Sequence, residues 1–255
     1  MTIGIAVVCT NAYFILGVRF VKKFIYHYKG PHALRFFLFT DTDPTPYLPG
    51  APVTYIHTVH RCWQDGTNSK FSNILKLTTE PCDYLYYFDA DTEISSPFTE
   101  DWFLGDLVGG EHYNNRWLDV SGKPQPKPYD RNPRSRAYVP TDTPLPQMYY
   151  YGAFFGGRTD RVAAFCQQLV EDQQADARIP YEPCWNDESY INHYFHYTPP
   201  TFVVPSDTFA FGISDKGGLG ETRDTALDID ALKRLALDNA HRLFTIANGE
   251  IIFHN

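Results

Sequence analysis

Apolar residues along this chain fall into short runs separated by amphipathic stretches. Residues 3–9 (IGIAVVC) are continuously apolar, as a strand buried on both faces requires. Thr10–Tyr13 read as a loop, and residues 14–28 carry the spacing of an amphipathic helix that ends before Gly30-Pro31. Further strands are predicted at 34–39 (LRFFLF), 52–57 (PVTYIH) and 83–88 (DYLYYF). Between them stand the turn cluster Thr40-Asp41-Thr42-Asp43-Pro44, a loop with Trp63, and a helix near 68–79. Residues 111–148 have no period and many Pro, Asn, Arg and Lys, the mark of a long irregular segment that covers a site or moves. Helical patterning returns at 159–174, at 187–196 and, after a Gly-rich stretch, near 227–240, before a short apolar ending at Ile251–Phe253.

Strands alternating with helices over the first ninety residues predict a doubly wound α/β sheet. In such sheets ligands sit beyond the carboxyl ends of the strands. The Thr10–Tyr13 and Asp89–Asp91 loops therefore share one rim.

At 255 residues the chain suits one α/β domain. Its net charge of −8 disfavours nucleic-acid backbones and anionic membranes as partners. Five cysteines (Cys9, Cys62, Cys82, Cys166, Cys184) show no zinc-like spacing, and their odd number argues for reduced thiols. The first apolar run is too short to span a bilayer and lacks a basic flank, so a soluble, cytoplasmic protein with no membrane span is expected. Aromatic residues make up 16% of the chain, enough to supply both core packing and stacking platforms for a sugar or a base.

Three stretches carry candidate chemistry. Asp89 and Asp91 flank Ala90 just after an apolar strand, where two carboxylates can converge on a hard divalent cation. A solvated turn is the plainer alternative. A phosphatase of the haloacid-dehalogenase type would use DxDx[TV] here, but Glu93 stands in the last position and the motif follows the fourth strand rather than the first. Tyr149–Gly157 (YYYGAFFGG) sets small residues among rings, as a buried strand or a pocket wall would. Trp185-Asn186-Asp187-Glu188 precedes a helix, where the two acids either cap its N-terminus or bind sugar hydroxyls beside the indole.

Together these stretches resemble glycosyltransferase family 6, over roughly residues 3–211. Residues 129–140 (YDRNPRSRAYVP) are similar to the family's YERRPxSxAYIP, 149–157 to YYxGxFFGG, and 185–195 (WNDESYINHYF) to WHDESHLNKYF. The resemblance implies a GT-A fold, a Rossmann-like mixed sheet with a DxD loop, and a UDP-sugar donor. It implies Asp89 and Asp91 as ligands of Mn2+, with Mg2+ the alternative, and Ala90 within the donor site. VCTNAY stands where the family has its FAIGRY-like uridine loop, so Cys9, Thr10 and Tyr13 are expected at uridine, with Asn11 and Ala12 departing from the pattern. Trp63 opens a matching WQD, and Lys70 stands where Arg is usual. By the same resemblance Glu188 is the catalytic acid and also touches the acceptor, Asp187 binds donor hydroxyls, and Trp185 and His112 bind the acceptor. Asn186 replaces a His. Tyr151, Gly152 and Ala153 line the donor sugar.

The matching position to Ala153 is Gly in N-acetylgalactosamine-using blood-group enzymes and Ala in galactose-using ones, because a methyl fills the space of an acetamido group. The function implied is retaining transfer of galactose from UDP-galactose to a β-galactoside-type oligosaccharide, forming an α-1,3 linkage. UDP-N-acetylgalactosamine as donor, or a sugar-binding module without turnover, are the alternatives. One catalytic domain is expected, with a nucleotide-binding half (1–92), an acceptor half (93–211) and a tail (212–255) that closes over the donor through Lys216, Lys233, Arg234 or Arg242. The lack of an anchor favours a microbial or viral source.

Overall fold

The computed structural model describes residues 1–94 (backbone alone for Trp63), 96–100, 104–112, 127–140, 148–206 and 208, with the backbone of a hairpin at 244–247 and 250–253. The elements are β1 (Thr2–Val8), α1 (Tyr13–His27), β2 (Ala33–Thr40), β3 (Val53–His57), α2 (Trp63–Lys76), β4 (Tyr84–Asp89), β5 (Leu107–Glu111), β6 (Tyr150–Arg158), α3 (Thr159–Asp176), α4 (Asn186–Tyr197) and β7 (Phe202–Val204). The hairpin pairs β8 (Phe244–Ala247) with β9 (Glu250–Phe253), which takes up the apolar ending. The helix expected near 227–240 lies outside the described residues, as do Lys216, Lys233, Arg234 and Arg242.

One seven-stranded sheet runs β3-β2-β1-β4-β6-β5-β7. Its first four strands are parallel, and β6 is antiparallel to both β4 and β5. The sheet is mixed, as a Rossmann-like GT-A architecture is. Both faces are covered over β1, β2 and β4, which is why those strands read as largely apolar runs, whereas β3 at the sheet edge stays half-exposed. On one face α1 lays Phe20, Val21 and Phe24 against Ile5, Phe36 and Phe88. On the other, Phe71 of α2, Phe165 of α3 and Phe195 of α4 pack with Phe37, Leu85 and Phe155.

Two strands of this sheet are not legible in the pattern. β5 (LVGGE) carries two glycines, which ordinarily weaken a strand. Here they make room for rings: a Cβ on Gly109 would lie 2.9 Å from the Phe195 ring and 3.0 Å from Tyr150, and one on Gly110 3.2 Å from Phe154. β7 is three residues long and exists by pairing with β5. Helix α2 also starts earlier than its apolar spacing predicts. Its entry is held by Asp65, which accepts the Arg61 N–H at 3.0 Å.

The described part of the irregular segment, 127–140, is a strap tied to the helices. Asp176 at the end of α3 is buried and accepts from Ser135 Oγ (2.7 Å), the Arg136 N–H (2.8 Å) and the Tyr190 phenol (3.1 Å). Asp130, also buried, accepts from the Tyr181 phenol at 2.6 Å and the Cys184 N–H at 3.2 Å. All five cysteines are free. Among the described residues no helix is long and apolar enough to cross a membrane.

Candidate functional site

The chain leaves β1 toward one face, into α1, and enters β4 from the other, out of α2. Neighbouring strands whose helices lie on opposite faces open a crevice at their carboxyl ends. Asp89 ends β4 at that crevice. Thr92 closes the turn after it, with both its N–H (3.1 Å) and its hydroxyl (2.7 Å) on the Asp89 carbonyl. Ala90 is buried beneath the loop. Glu93 turns away to pair with Arg19 and Lys23 of α1 at 2.7 and 3.0 Å, so it takes no part in the crevice.

The other wall is β6. Its pairing with β4 ends at Phe88–Phe154, and its register with β5 slips between Gly109 and Glu111. The intervening residues, Tyr151–Ala153, bulge out of the ladder, a distortion that commonly re-aims groups beside a site. Both backbone groups of Gly152 find charged partners. Its N–H donates to Glu188 Oε2 at 2.7 Å and its carbonyl accepts from Lys70 Nζ at 3.1 Å. A Cβ here would sit 2.9 Å from Glu188 Cβ and 3.2 Å from Asp187 Oδ2, so only glycine permits the approach.

Lys70 is almost inaccessible, at 2% exposure. Its ammonium lies 2.6 Å from Asp187 Oδ2, a charge contact rather than an aligned hydrogen bond, and 3.3 Å from Asp89 Oδ1. Burial alone would favour loss of its proton, but the two carboxylates outweigh it and hold the pKa above the usual lysine value. The ammonium also sits 4.8 Å from the centre of the Tyr87 ring, whose hydroxyl donates to Asp89 Oδ1 at 2.6 Å. One cation thus joins α2, β4, β6 and α4.

The remaining acids share the cost of enclosure. Burial first, then repulsion from Asp89, pushes the Asp91 carboxyl up to about 6. Burial also raises Asp187 to about 6, against the pull of Lys70 and with the push of Asp89. Glu188 keeps an accessible edge, yet its carboxyl is deep enough that burial lifts it to about 7, with the Gly152 N–H and the Tyr149 phenol pulling it back and Asp187 adding to the rise. Asn192 bonds both backbone groups of Tyr150 at 2.8 Å and the Glu188 carbonyl at 2.9 Å, which fixes α4 against β6 and Glu188 in place.

Asp89 and Asp91 are hard oxygen donors a residue apart, and the destabilised Asp91 carboxylate is a group that a cation would relieve. They fit Mn2+ or Mg2+. Among the described residues no group of three or more His, Cys, Asp or Glu side chains is placed to hold a metal ion. Oxygens from a bound phosphate or water would complete the shell.

Other expected residues divide. His112 is buried against Tyr149 and Tyr151 with ring centres 5.5 and 4.9 Å away, and burial lowers its pKa to about 4. Trp185, half exposed, stands at the mouth of α4. Tyr13 is exposed on the first turn of α1, and Ala153 is buried in the bulge wall. The Trp63 side chain lies outside the described residues, although its backbone opens α2. The Cys9 side chain has no accessible surface, its thiol faces Gly17 of α1, and burial pushes that thiol up to about 12.

Two of the departures from the family pattern, Asn11 and Asn186, have a common backbone cause. Asn11 (φ 56°) and Asn186 (φ 46°) both adopt left-handed backbone, which Gly, Asn and His tolerate better than most residues. The Gly and His of the corresponding stretches are exchanged for another residue that fits. Sequence reasoning missed His60, Tyr87 and Tyr149 as parts of the site. Tyr87 could have been found from the alternation along β4, which puts it on the face of Asp89; His60 had no local signal.

A family model described as glycosyltransferase family 6 matches residues 1–211. Histo-blood group ABO system transferase 1 of Rattus norvegicus is 29% identical over 219 residues, covering 80% of this chain and 59% of that protein. Globoside alpha-1,3-N-acetylgalactosaminyltransferase 1 of Mus musculus is 27% identical over 215 residues, with the same coverage of 80% and 59%. O-antigen biosynthesis glycosyltransferase WbnI of Escherichia coli is 27% identical over 215 residues, covering 80% of this chain and 86% of that protein. The chain therefore spans about three fifths of the length of the mammalian relatives.

Proposed function

This chain belongs to glycosyltransferase family 6, and from that premise we propose that it transfers galactose from UDP-galactose to a β-galactoside-type acceptor, forming an α-1,3 linkage with retention. The observation that carries the reading is the Gly152 bulge, where the Glu188 carboxylate and the Lys70 ammonium meet on opposite ends of one residue. A nucleophile or charge stabiliser is held there beside a cation that neutralises acids on two elements, Asp89 of β4 and Asp187 of α4.

Each group has a task. Thr10 and Tyr13 line the rim where uridine binds. Asp187, locked by Lys70, accepts from donor hydroxyls. Asp89 and Asp91 hold Mn2+ or Mg2+, which when bound neutralises charge on the departing diphosphate. Trp185 offers its exposed indole to the apolar face of the acceptor, and His112, neutral through burial, bonds an acceptor hydroxyl. Retention follows if Glu188 attacks the anomeric carbon and is then displaced, or if it stabilises an oxocarbenium-like centre while the acceptor enters from the leaving-group side. Both routes need its ionised form.

Galactose is favoured over N-acetylgalactosamine because the Ala153 methyl is enclosed in the bulge wall and Tyr151 adds bulk beside it. A methyl discriminates by roughly 10–200-fold. The α-1,3 linkage is that named for the globoside relatives, whose own sugar is N-acetylgalactosamine. The test is UDP release from each donor, with and without Mn2+, with lactose and 2′-fucosyllactose as acceptors. Mn2+-dependent release favouring UDP-galactose is expected. Preference for the N-acetyl donor would overturn the pocket assignment, and tight UDP binding without release under any condition would point to a sugar-binding module.

A further inference from the structure

His60, at the loop between β3 and α2, bridges two hydroxyls. Its Nδ1 lies 3.1 Å from Thr10 Oγ1 and its Nε2 3.1 Å from Ser69 Oγ. The Asn11 amide also donates to the His60 carbonyl at 3.2 Å, so the loop after β1 and the loop before α2 are tied twice. The ring is buried, and burial lowers its pKa, so it is neutral at pH 7 and one nitrogen carries the proton.

Ser69 decides which nitrogen that is. Its hydroxyl has one proton and the Gly66 carbonyl 2.9 Å away as an acceptor, while the Asn73 amide donates to it from 3.1 Å. If the Ser69 proton goes to Gly66, the hydroxyl receives from His60 Nε2–H, and Nδ1 is left to accept from Thr10. Every contact in the chain is then made. If the proton goes to His60 Nε2 instead, the Ser69–Gly66 bond is lost, and the Thr10 proton has no partner within this chain of contacts. The first arrangement makes one more bond.

We propose that His60 is a positioning residue that consumes the Thr10 hydroxyl proton, so that Thr10 offers the nucleotide crevice only lone pairs and thereby selects uracil over cytosine. The two bases are inverted along one edge: uracil presents an N3–H donor beside its O4 acceptor, whereas cytosine presents an N3 acceptor beside its N4 amine. Set opposite position 3, a hydroxyl that can only accept bonds the first and repels the second. The proposal rests on the reading that the rim after β1 binds a uridine nucleotide, and it adds the device that sets base preference.

Two measurements test it. Long-range nitrogen–proton NMR of the ligand-free protein reports the tautomer of His60 directly; the Nε2–H form is expected, and the Nδ1–H form would overturn the proposal. Calorimetric binding of UDP and CDP then reads selectivity. Thr10→Val should weaken UDP by roughly tenfold, as loss of one hydrogen bond to a ligand does, with CDP unchanged or tighter. His60→Ala should lower the UDP/CDP affinity ratio similarly. His60→Asn, whose side-chain oxygen can take the place of Nδ1, should restore most of it, which a purely structural role would not require. An unchanged ratio in Thr10→Val sinks the proposal while leaving the donor reading intact. Failure of the wild type to bind UDP at all sinks both.

Discussion

Lys70 and Glu188 show how single side chains set the chemistry of the rim. Removing the Lys70 ammonium would leave Asp187 and Asp89 without their cation, and breaking a buried pair costs about 3–5 kcal/mol. Lys70→Met should therefore lower urea stability by roughly that amount at pH 8. The loss should be smaller at pH 5, where Asp187, already raised to about 6, takes up a proton and needs no partner. Equal losses at both pH values would mean that only packing was removed.

Glu188 titrates in the opposite sense to a salt-bridged acid. Its folded-state pKa is raised from 4.5 to about 7, so folding favours the protonated carboxyl. The stability it contributes is full below 4.5 and is lost as pH rises through 7. Turnover should do the reverse, climbing through about pH 7 as the reactive carboxylate forms. Glu188→Gln should cut turnover by about 10²-fold or more, keep UDP affinity, and melt higher than the wild type at pH 8. A Gln variant as active as the wild type would remove Glu188 from the mechanism.

At the scale of elements, two glycines of β6 separate function from packing. Gly152 faces Glu188, so Gly152→Ala displaces the carboxylate that α4 presents. A displacement near 1 Å costs about 10²-fold in turnover, and the melting temperature should fall less than for a core glycine because the closest clash is relieved by moving Glu188 alone. Gly156 faces the core, where a Cβ would fall 2.1 Å from the Tyr86 ring. Gly156→Ala should lower stability by about 1–3 kcal/mol, as overpacking does. Equal effects of the two substitutions on turnover at matched stability would contradict this division.

The strap at 127–140 makes the same point from the other side. Its sequence carries the most specific likeness to the family, yet Asp130 and Asp176 spend it on tying the strap to α3 and α4. Asp176→Ala leaves two buried hydroxyls and one half-buried N–H unmet and should cost about 1–3 kcal/mol in urea unfolding, with UDP affinity retained. A distinctive motif here is scaffold, and the acids that face the crevice stand in shorter, plainer stretches.

Across the whole molecule, the crevice joins the ends of β1, β4 and β6 with α2 and the start of α4, and Asp89 at the end of β4 and Asp91 just after it are the pair proposed to hold a divalent cation. Chelation should abolish UDP release, and Asp91→Asn should weaken Mn2+-dependent donor binding while leaving the fold intact. Undiminished activity after chelation would remove the metal from the site.

The strands β1 to β4 and helices α1, α3 and α4 were legible because each is a local pattern: an apolar run for a strand covered on both faces, a 3.6-residue stripe for a helix. The acids were legible too, since a strand end followed by Asp-x-Asp and a helix start with Asp-Glu can be read from neighbours alone. β5 was not, because its glycines make sense only beside Phe195 and Tyr150. Nor was His60, whose partners Thr10 and Ser69 come from separate elements. The α/β class, the rim and the residue types gathered there follow from the chain read on its own. Only the packed fold shows that Lys70 bonds the carbonyl of a residue 82 positions away, that burial raises Glu188 to about 7, and that the Cys9 thiol is enclosed. The reason is physical: periodicity is set by bonds between near neighbours, whereas burial and charge pairing depend on what distant segments bring within a few ångströms.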